Sequence, residues 1–222
     1  GNTLTAEWHC EDASPWEKES VLTCEWGVGF SPGSAEPMGG WRPASRSGLH
    51  VWDVAAEGSA LENGAVYYVT VRCTDWVDLR TTVFSGGLMV DLIGPRATVP
   101  AAVLRADTGS VTAFTDRIDQ VLCSFVFVDL ESGVAHIRAD VSMQHTPPGF
   151  DDLRFGLSID SVEEVHELDL RGRDGPTGVL GGGSMRHSVQ YYLHACAQDL
   201  LGNVGCSASA AFLVDLTPPN CT

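Results

Sequence analysis

The chain has 222 residues, with 13 Lys and Arg against 29 Asp and Glu, for a formal net charge of -16 at pH 7. Phosphate partners need clustered Lys and Arg, so this balance excludes nucleic acid and anionic lipid. No apolar stretch reaches the roughly 20 residues that span a bilayer, so the segment is not read as inserting into a membrane.

The first elements alternate with the period of half-buried strands. Leu4 to Cys10 puts Leu4, Ala6, Trp8 and Cys10 on one face, and Val21 to Val28 does the same with Cys24, Trp26 and Val28. Asp12 to Ser20, with Pro15 and Trp16, reads as a loop. Phe30 to Ser47 is rich in Gly, Pro and Ser and reads as a long irregular connection. Short strands are expected at Leu49 to Ala55 and at Ala60 to Leu61. Asn63-Gly64 then turns the chain into a strand from Tyr67, a polar break at Asp75 to Arg80, and a second run ending Val90-Asp91-Leu92.

The second half opens with a linker, Ile93 to Pro100, and a strand, Ala101 to Ala106. Val121 to Val128 and Val134 to Met143 follow as apolar strands. Leu153 to Ile159 and Val162 to Leu170 alternate well enough to form a further pair. Arg171 to Ser184 is glycine-rich and reads as a loop. Its Gly181-Gly182-Gly183-Ser184 lacks the Lys of a phosphate-binding loop and opens no helix.

Tyr67 to Pro95 recurs at Tyr191 to Pro219 without a gap. Tyr67/Tyr191, Asp75/Asp199, Ser85/Ser209, Val90/Val214, Asp91/Asp215 and Pro95/Pro219 are identical. Leu4 to Asp12 also matches Val121 to Asp129, with Trp8 opposite Phe125. Such self-similarity marks a tandem repeat. The run Tyr-x-Val-x-Val, a polar loop and Val-Asp-x-Thr-Pro-Pro resemble the last strands and exit linker of fibronectin type III-like or immunoglobulin-like modules. Glu131-Ser132-Gly133-Val134 fits that family's turn into its third strand. The resemblance implies an all-β chain of two tandem antiparallel β-sandwiches. The expected modules are 1–95 and 96–219, with 220–222 leading into a further module. Leu4 stands only three residues from the start, while Val121 has a preceding strand, so the first module is expected to lack its N-terminal strand.

Seven cysteines fit an oxidising compartment, and with it an extracellular or cell-surface location. Cys196 and Cys206 lie on the two arms of a hairpin and are expected to form a disulfide. Cys10, Cys24 and Cys73 all point inward by parity, and which two pair is open. Cys123 reads as a buried thiol, and Cys221 as part of the next module. The histidines are scattered, without metal or catalytic spacing. Asp12, Asp75, Asp91, Asp129, Asp199 and Asp215 recur at strand ends. They could hold calcium at a module junction, but no dense Asp-x-Asp-x-Asp run gathers ligands. The favoured reading is that they cap turns, and no cofactor is expected. Asn220-Cys221-Thr222 is a glycosylation sequon.

In the family resembled, Trp16 and Trp76 fall on loops at one pole, and Leu200 and Leu201 on the equivalent loop of the second module. These four are expected to contact neighbouring modules. The chain therefore reads as a non-enzymatic spacer and protein-interaction segment of a long extracellular chain, its partners being neighbouring modules and other extracellular proteins or glycans. One alternative is a filament subunit completed by a strand from another copy. Another is a carbohydrate-binding module using Trp16, Trp41 or Trp52.

Overall fold

The computed structural model describes residues 3–11, 22–56, 58, 60–157, 165–170 and 184–218. The chain divides into two compact units, Gly1–Asp91 and Leu92–Thr222. The described residues are all-β apart from one 3₁₀ turn, Phe150–Asp152.

In the first unit, β1 (Thr3–His9) pairs antiparallel with β4 (Ser47–Asp53) as a two-stranded sheet. The facing sheet runs β3 (Arg42–Ala44), β2 (Thr23–Gly29), β5 (Val66–Thr74), β6 (Arg80–Phe84), and β7 (Leu88–Met89) pairs with the start of β5. The inward residues of the two sheets meet in one core. Leu4, Trp26, Val28, Trp52, Tyr67 and Val71 are all buried there, each contributing about 1.5–3 kcal/mol by leaving water.

The second unit repeats this plan with additions. β8 (Arg96–Leu104), β10 (Gln120–Val128) and β13 (Val165–Asp169) make a three-stranded sheet in the order β13-β10-β8. It faces β12 (Phe155–Leu157), β11 (Val134–Ser142), β14 (Gln190–Asp199) and β15 (Val204–Ala208). β16 (Phe212–Val214) joins the start of β14 and pairs in parallel with β9 (Phe114–Thr115). Strands β1 to β7 thus correspond to β10 to β16, and among the described residues β8 and β9 have no counterpart in the first unit. Both units are two-sheet β-sandwiches, and among the described residues the β1–β4 sheet of the first has two strands where the second unit has three.

The structure corrects several expectations. β3 lies inside the stretch read as irregular, and Ala60 to Leu61 is not a strand. β12 and β13 do not pair with each other: β12 joins β11 and β13 joins β10. The chain crosses between the sheets there, which alternation alone cannot report. The stretch read as the linker Ile93 to Pro100 enters β8 at Arg96. Pro100 is tolerated because β8 is an edge strand, and the β10–β8 register shifts beside it, between Ser124 and Val126.

The division between units falls after Asp91 rather than at Pro95. Leu92 to Pro95 belong with the second unit, where Pro95 passes so close to β15 that a Cβ on Gly205 would meet Pro95 O at 1.7 Å. The irregular stretch after β2 also has a structural job. It lies on the outer face of its sheet, where a Cβ on Gly27 would come within 2.4 Å of Ala35 Cβ. Ala35 is buried there, and Met38 further along the stretch joins the core of the unit.

Candidate functional site

The residues identical between the halves hold the fold together. Tyr67 and Tyr191 are buried, and each hydroxyl accepts a hydrogen bond from the backbone five residues upstream, from Glu62 N at 3.1 Å and Arg186 N at 2.8 Å. This is the tyrosine corner of such sandwiches. Asp75 Oδ1 accepts from Val77 N and Leu79 N, and Asp199 Oδ1 from Leu201 N and Asn203 N. Burial alone would raise the Asp199 carboxyl, but the Asn203 side chain and the backbone amides of its loop hold it below the usual carboxylate range. Asp129 Oδ1 likewise accepts from Glu131, Ser132 and Gly133 N. These acids cap turns.

Ser85 and Ser209 bridge the point where the return strand breaks in two. Each hydroxyl accepts from the amide of the facing strand, Val69 N or Leu193 N, at 3.0 Å. Tyr191→Phe leaves the Arg186 N–H without its acceptor. The second unit should lose about 1–3 kcal/mol, measurable by urea unfolding.

The two units differ at one sheet edge. β10 is flanked on both sides, by β13 and β8, whereas β1 has only β4 among the described residues. Beside the other edge of β1 lies a groove of about 420 Å³, lined by Leu4, Ala6, Trp8, Tyr67, Val83 and Phe84 among others. Its far wall is apolar and wet: Val83, Phe84 and Leu88 are 49%, 61% and 55% exposed. In the second unit β8 fills the equivalent space. Ala101 and Val103 are buried, and Ala101 N donates to Ser207 Oγ at 2.9 Å. By the repeat, Ser207 stands where the first unit has Val83.

A buried polar cluster covers the outer face of the second unit's larger sheet. Arg154 makes two 2.7 Å hydrogen bonds to Asp140, whose side chain is 1% exposed. On the neighbouring strand, fully buried His194 places Nε2 3.0 Å from Ser142 Oγ and 2.9 Å from Gln144 O. A carbonyl only accepts, so Nε2 carries the proton. His194 Nδ1 then faces no partner among the described residues. Burial pushes the His194 pKa down, against the opposing pull of the Gln144 carbonyl and Asp140 and with help from His145.

The folded state therefore takes up this proton less readily than the unfolded chain. Stability should be intact above the ordinary histidine value, about 6.5, and fall as the pH drops below it. Urea unfolding at pH 7.5 and 5.5 should show a larger loss for the native chain than for His194→Gln. Equal losses would contradict this.

The remaining expected residues are placed as follows. Cys196 and Cys206 are register partners on β14 and β15 and form a disulfide. Cys196 sits on the outer face yet is fully buried. Among the three inward cysteines of the first unit, Cys24 pairs with Cys73 across β2 and β5, and Cys10 is a free thiol. Cys123 is buried, donates to His166 O at 3.4 Å, and has its pKa pushed up to about 12 by burial.

Trp76, Leu200 and Leu201 are exposed, at 65%, 72% and 62%. Trp52 lies in the core, and the Arg72 guanidinium stands 3.7 Å over the Trp41 ring, so neither matches an open sugar platform. Trp16, Asp12, Asn220 and Cys221 lie outside the described residues. In a cleft of about 610 Å³ in the second unit, bordered by Arg105, Asp107, Asp116 and Arg117, Arg105 is ion-paired with Asp107 and Arg117 donates to the amide oxygen of Gln120.

No protein-family model matches the chain, and no curated protein matches it. Among solved structures, it is similar to the fibronectin(III)-like modules of Clostridium thermocellum CbhA, at 9% identity and TM-score 0.36, over 100% of this chain and 92% of that one. It is also similar to the FN1-FN3 domains of chicken CNTN1, at 12% identity and TM-score 0.36, over 96% of this chain and 63% of that one. Neither likeness carries a ligand or partner to this chain, and the fold rests on the registers above.

Proposed function

We propose that this chain is a structural and adhesive segment of a multi-module protein outside the cell or on its surface. It spaces its neighbours and offers them a protein-contact face, and it is not an enzyme. Two cross-strand disulfides support the oxidising location. No helix among the described residues is long and apolar enough to cross a membrane.

The observation that carries the contact role is the edge of β1 left open among the described residues, with its apolar groove. An unpaired edge offers a row of backbone donors and acceptors to any extended chain, and the groove adds specificity through alternate side chains. The second unit shows what fits. β8 presents small apolar residues, Ala101 and Val103, at alternate positions. The occupant is accordingly an extended segment of that pattern, supplied by a neighbouring module. The exposed Trp76, Leu200 and Leu201 are proposed as further contacts with adjoining modules.

The test uses a synthetic peptide with the sequence of Arg96–Leu104, titrated into the full chain and followed by amide chemical shifts. Binding should move Leu4, Ala6 and Trp8, and a peptide with its apolar positions moved by one residue should not bind. If neither peptide binds, β1 is not a contact edge and only the spacer role stands. Concentration-dependent growth without peptide would identify the donor as a second copy and the chain as a filament subunit.

A further inference from the structure

Three sulfurs of the first unit come together where its two sheets meet. The Sγ atoms of Cys10, Cys24 and Cys73 all lie within 4.8 Å of one another, although only Cys24 and Cys73 are bonded. Cys10 stands just past the end of β1, on the sheet opposite β2 and β5, anchored by its amide donating to Arg46 O at 2.7 Å. It is half-buried, unlike Cys123. A cavity of about 510 Å³ is lined by both Cys10 and Cys73, together with His9, Glu11 and Asp75. Cys24 does not line it.

A thiol at that distance from a disulfide can attack it. We propose that Cys10, Cys24 and Cys73 form a thiol–disulfide exchange site, in which Cys10 displaces Cys24 from Cys73. The Cys10 thiol gives up its proton, and the thiolate electron pair forms the new Cys10–Cys73 bond. The electrons of the old Cys24–Cys73 bond leave on Cys24, which takes up a proton. Nothing is oxidised or reduced overall, and no further reagent is consumed. Cys73 is the sulfur attacked because it shares the open cavity with Cys10, and Cys24 departs into the core beside Trp26 and Val28.

The exchange moves a crosslink from one kind of joint to another. Cys24–Cys73 links strands that already share a seven-residue register from Thr23↔Thr74 to Gly29↔Tyr68. Cys10–Cys73 would tie β1 to the opposite sheet. Among the described residues that is where the first unit is thinnest, since its β1–β4 sheet has two strands. Burial holds the Cys10 thiol above its ordinary pKa, so the attacking thiolate is scarce near neutrality and the swap is slow.

The test is disulfide mapping of the intact native chain, incubated at pH 7 and pH 8.5 without denaturant or added thiol and then alkylated. Cleavage after Lys18, Arg46, Arg72 and Arg80 puts Cys10, Cys24 and Cys73 on three different tryptic peptides. A Cys10–Cys73 peptide pair should accumulate with alkylated Cys24 as its partner product, about tenfold faster per pH unit. The fluorescence of the first unit's core tryptophans, Trp26 and Trp52, should stay native throughout, reporting a folded first unit. A single unchanging pairing at both pH values overturns the proposal, as does exchange seen only when that fluorescence is lost. In Cys24→Ser, mild oxidation should join Cys10 to Cys73. Two persistent free thiols in that variant, with the tryptophan fluorescence still native, overturn it as well. Should the variant not fold, the native-chain map decides alone.

Discussion

Phe125→Ala should lower the unfolding free energy of the second unit by about 3–5 kcal/mol. Phe125 is 1% exposed at the centre of β10, packed at 6.2 Å between ring centroids on Phe127 and stacked at 4.5 Å on His166. Truncation removes an aromatic side chain and leaves a cavity between two sheets whose strands are held in register and cannot close over it. A loss of that size removes a large part of the stability of a domain this small. The first unit should keep its own transition, because its core shares no residue with this one. Denaturant unfolding followed by residue-resolved amide signals would separate the two. Simultaneous melting of both units would contradict the separation of the cores.

Arg154→Met should cost about as much by a different route. Asp140 is almost wholly buried and its ion pair is with Arg154. Removing the guanidinium strands a carboxylate away from water, which typically costs about 3–5 kcal/mol. The pair itself is worth far less than its breakage, since burying both charges has its own desolvation penalty. The double variant Asp140→Leu with Arg154→Met should therefore recover most of the loss. If the double variant is no better than Arg154→Met alone, the cluster acts through packing of the covering segment instead.

The repeat made much of the fold legible. Alternation in Tyr67 to Cys73 and Val121 to Val128 gives the strands and their inward faces, and tyrosine and aspartate at matched positions mark the corner and the capped loops. Long-range choices were not legible. Parity assigns Asp140, Ser142 and His194 to an outer face, and nothing local says that residues 143–154 fold back and bury it. The same holds for the sheet to which β13 belongs. Among Cys10, Cys24 and Cys73, inward parity is satisfied by every pairing, and the structure shows why: all three sulfurs share one site. The groove beside β1 emerges only when the two units are compared strand by strand.

The contact role of that groove is tested most directly by amide hydrogen exchange in β1 of the full chain, with a copy of Arg96–Leu104 tethered through a flexible linker ahead of Gly1. Occupation of the edge should slow the exchange of outward-facing β1 amides by about tenfold for each 1.4 kcal/mol gained and abolish binding of the free peptide. Unchanged exchange in β1, with the tethered segment itself unprotected, would contradict the account.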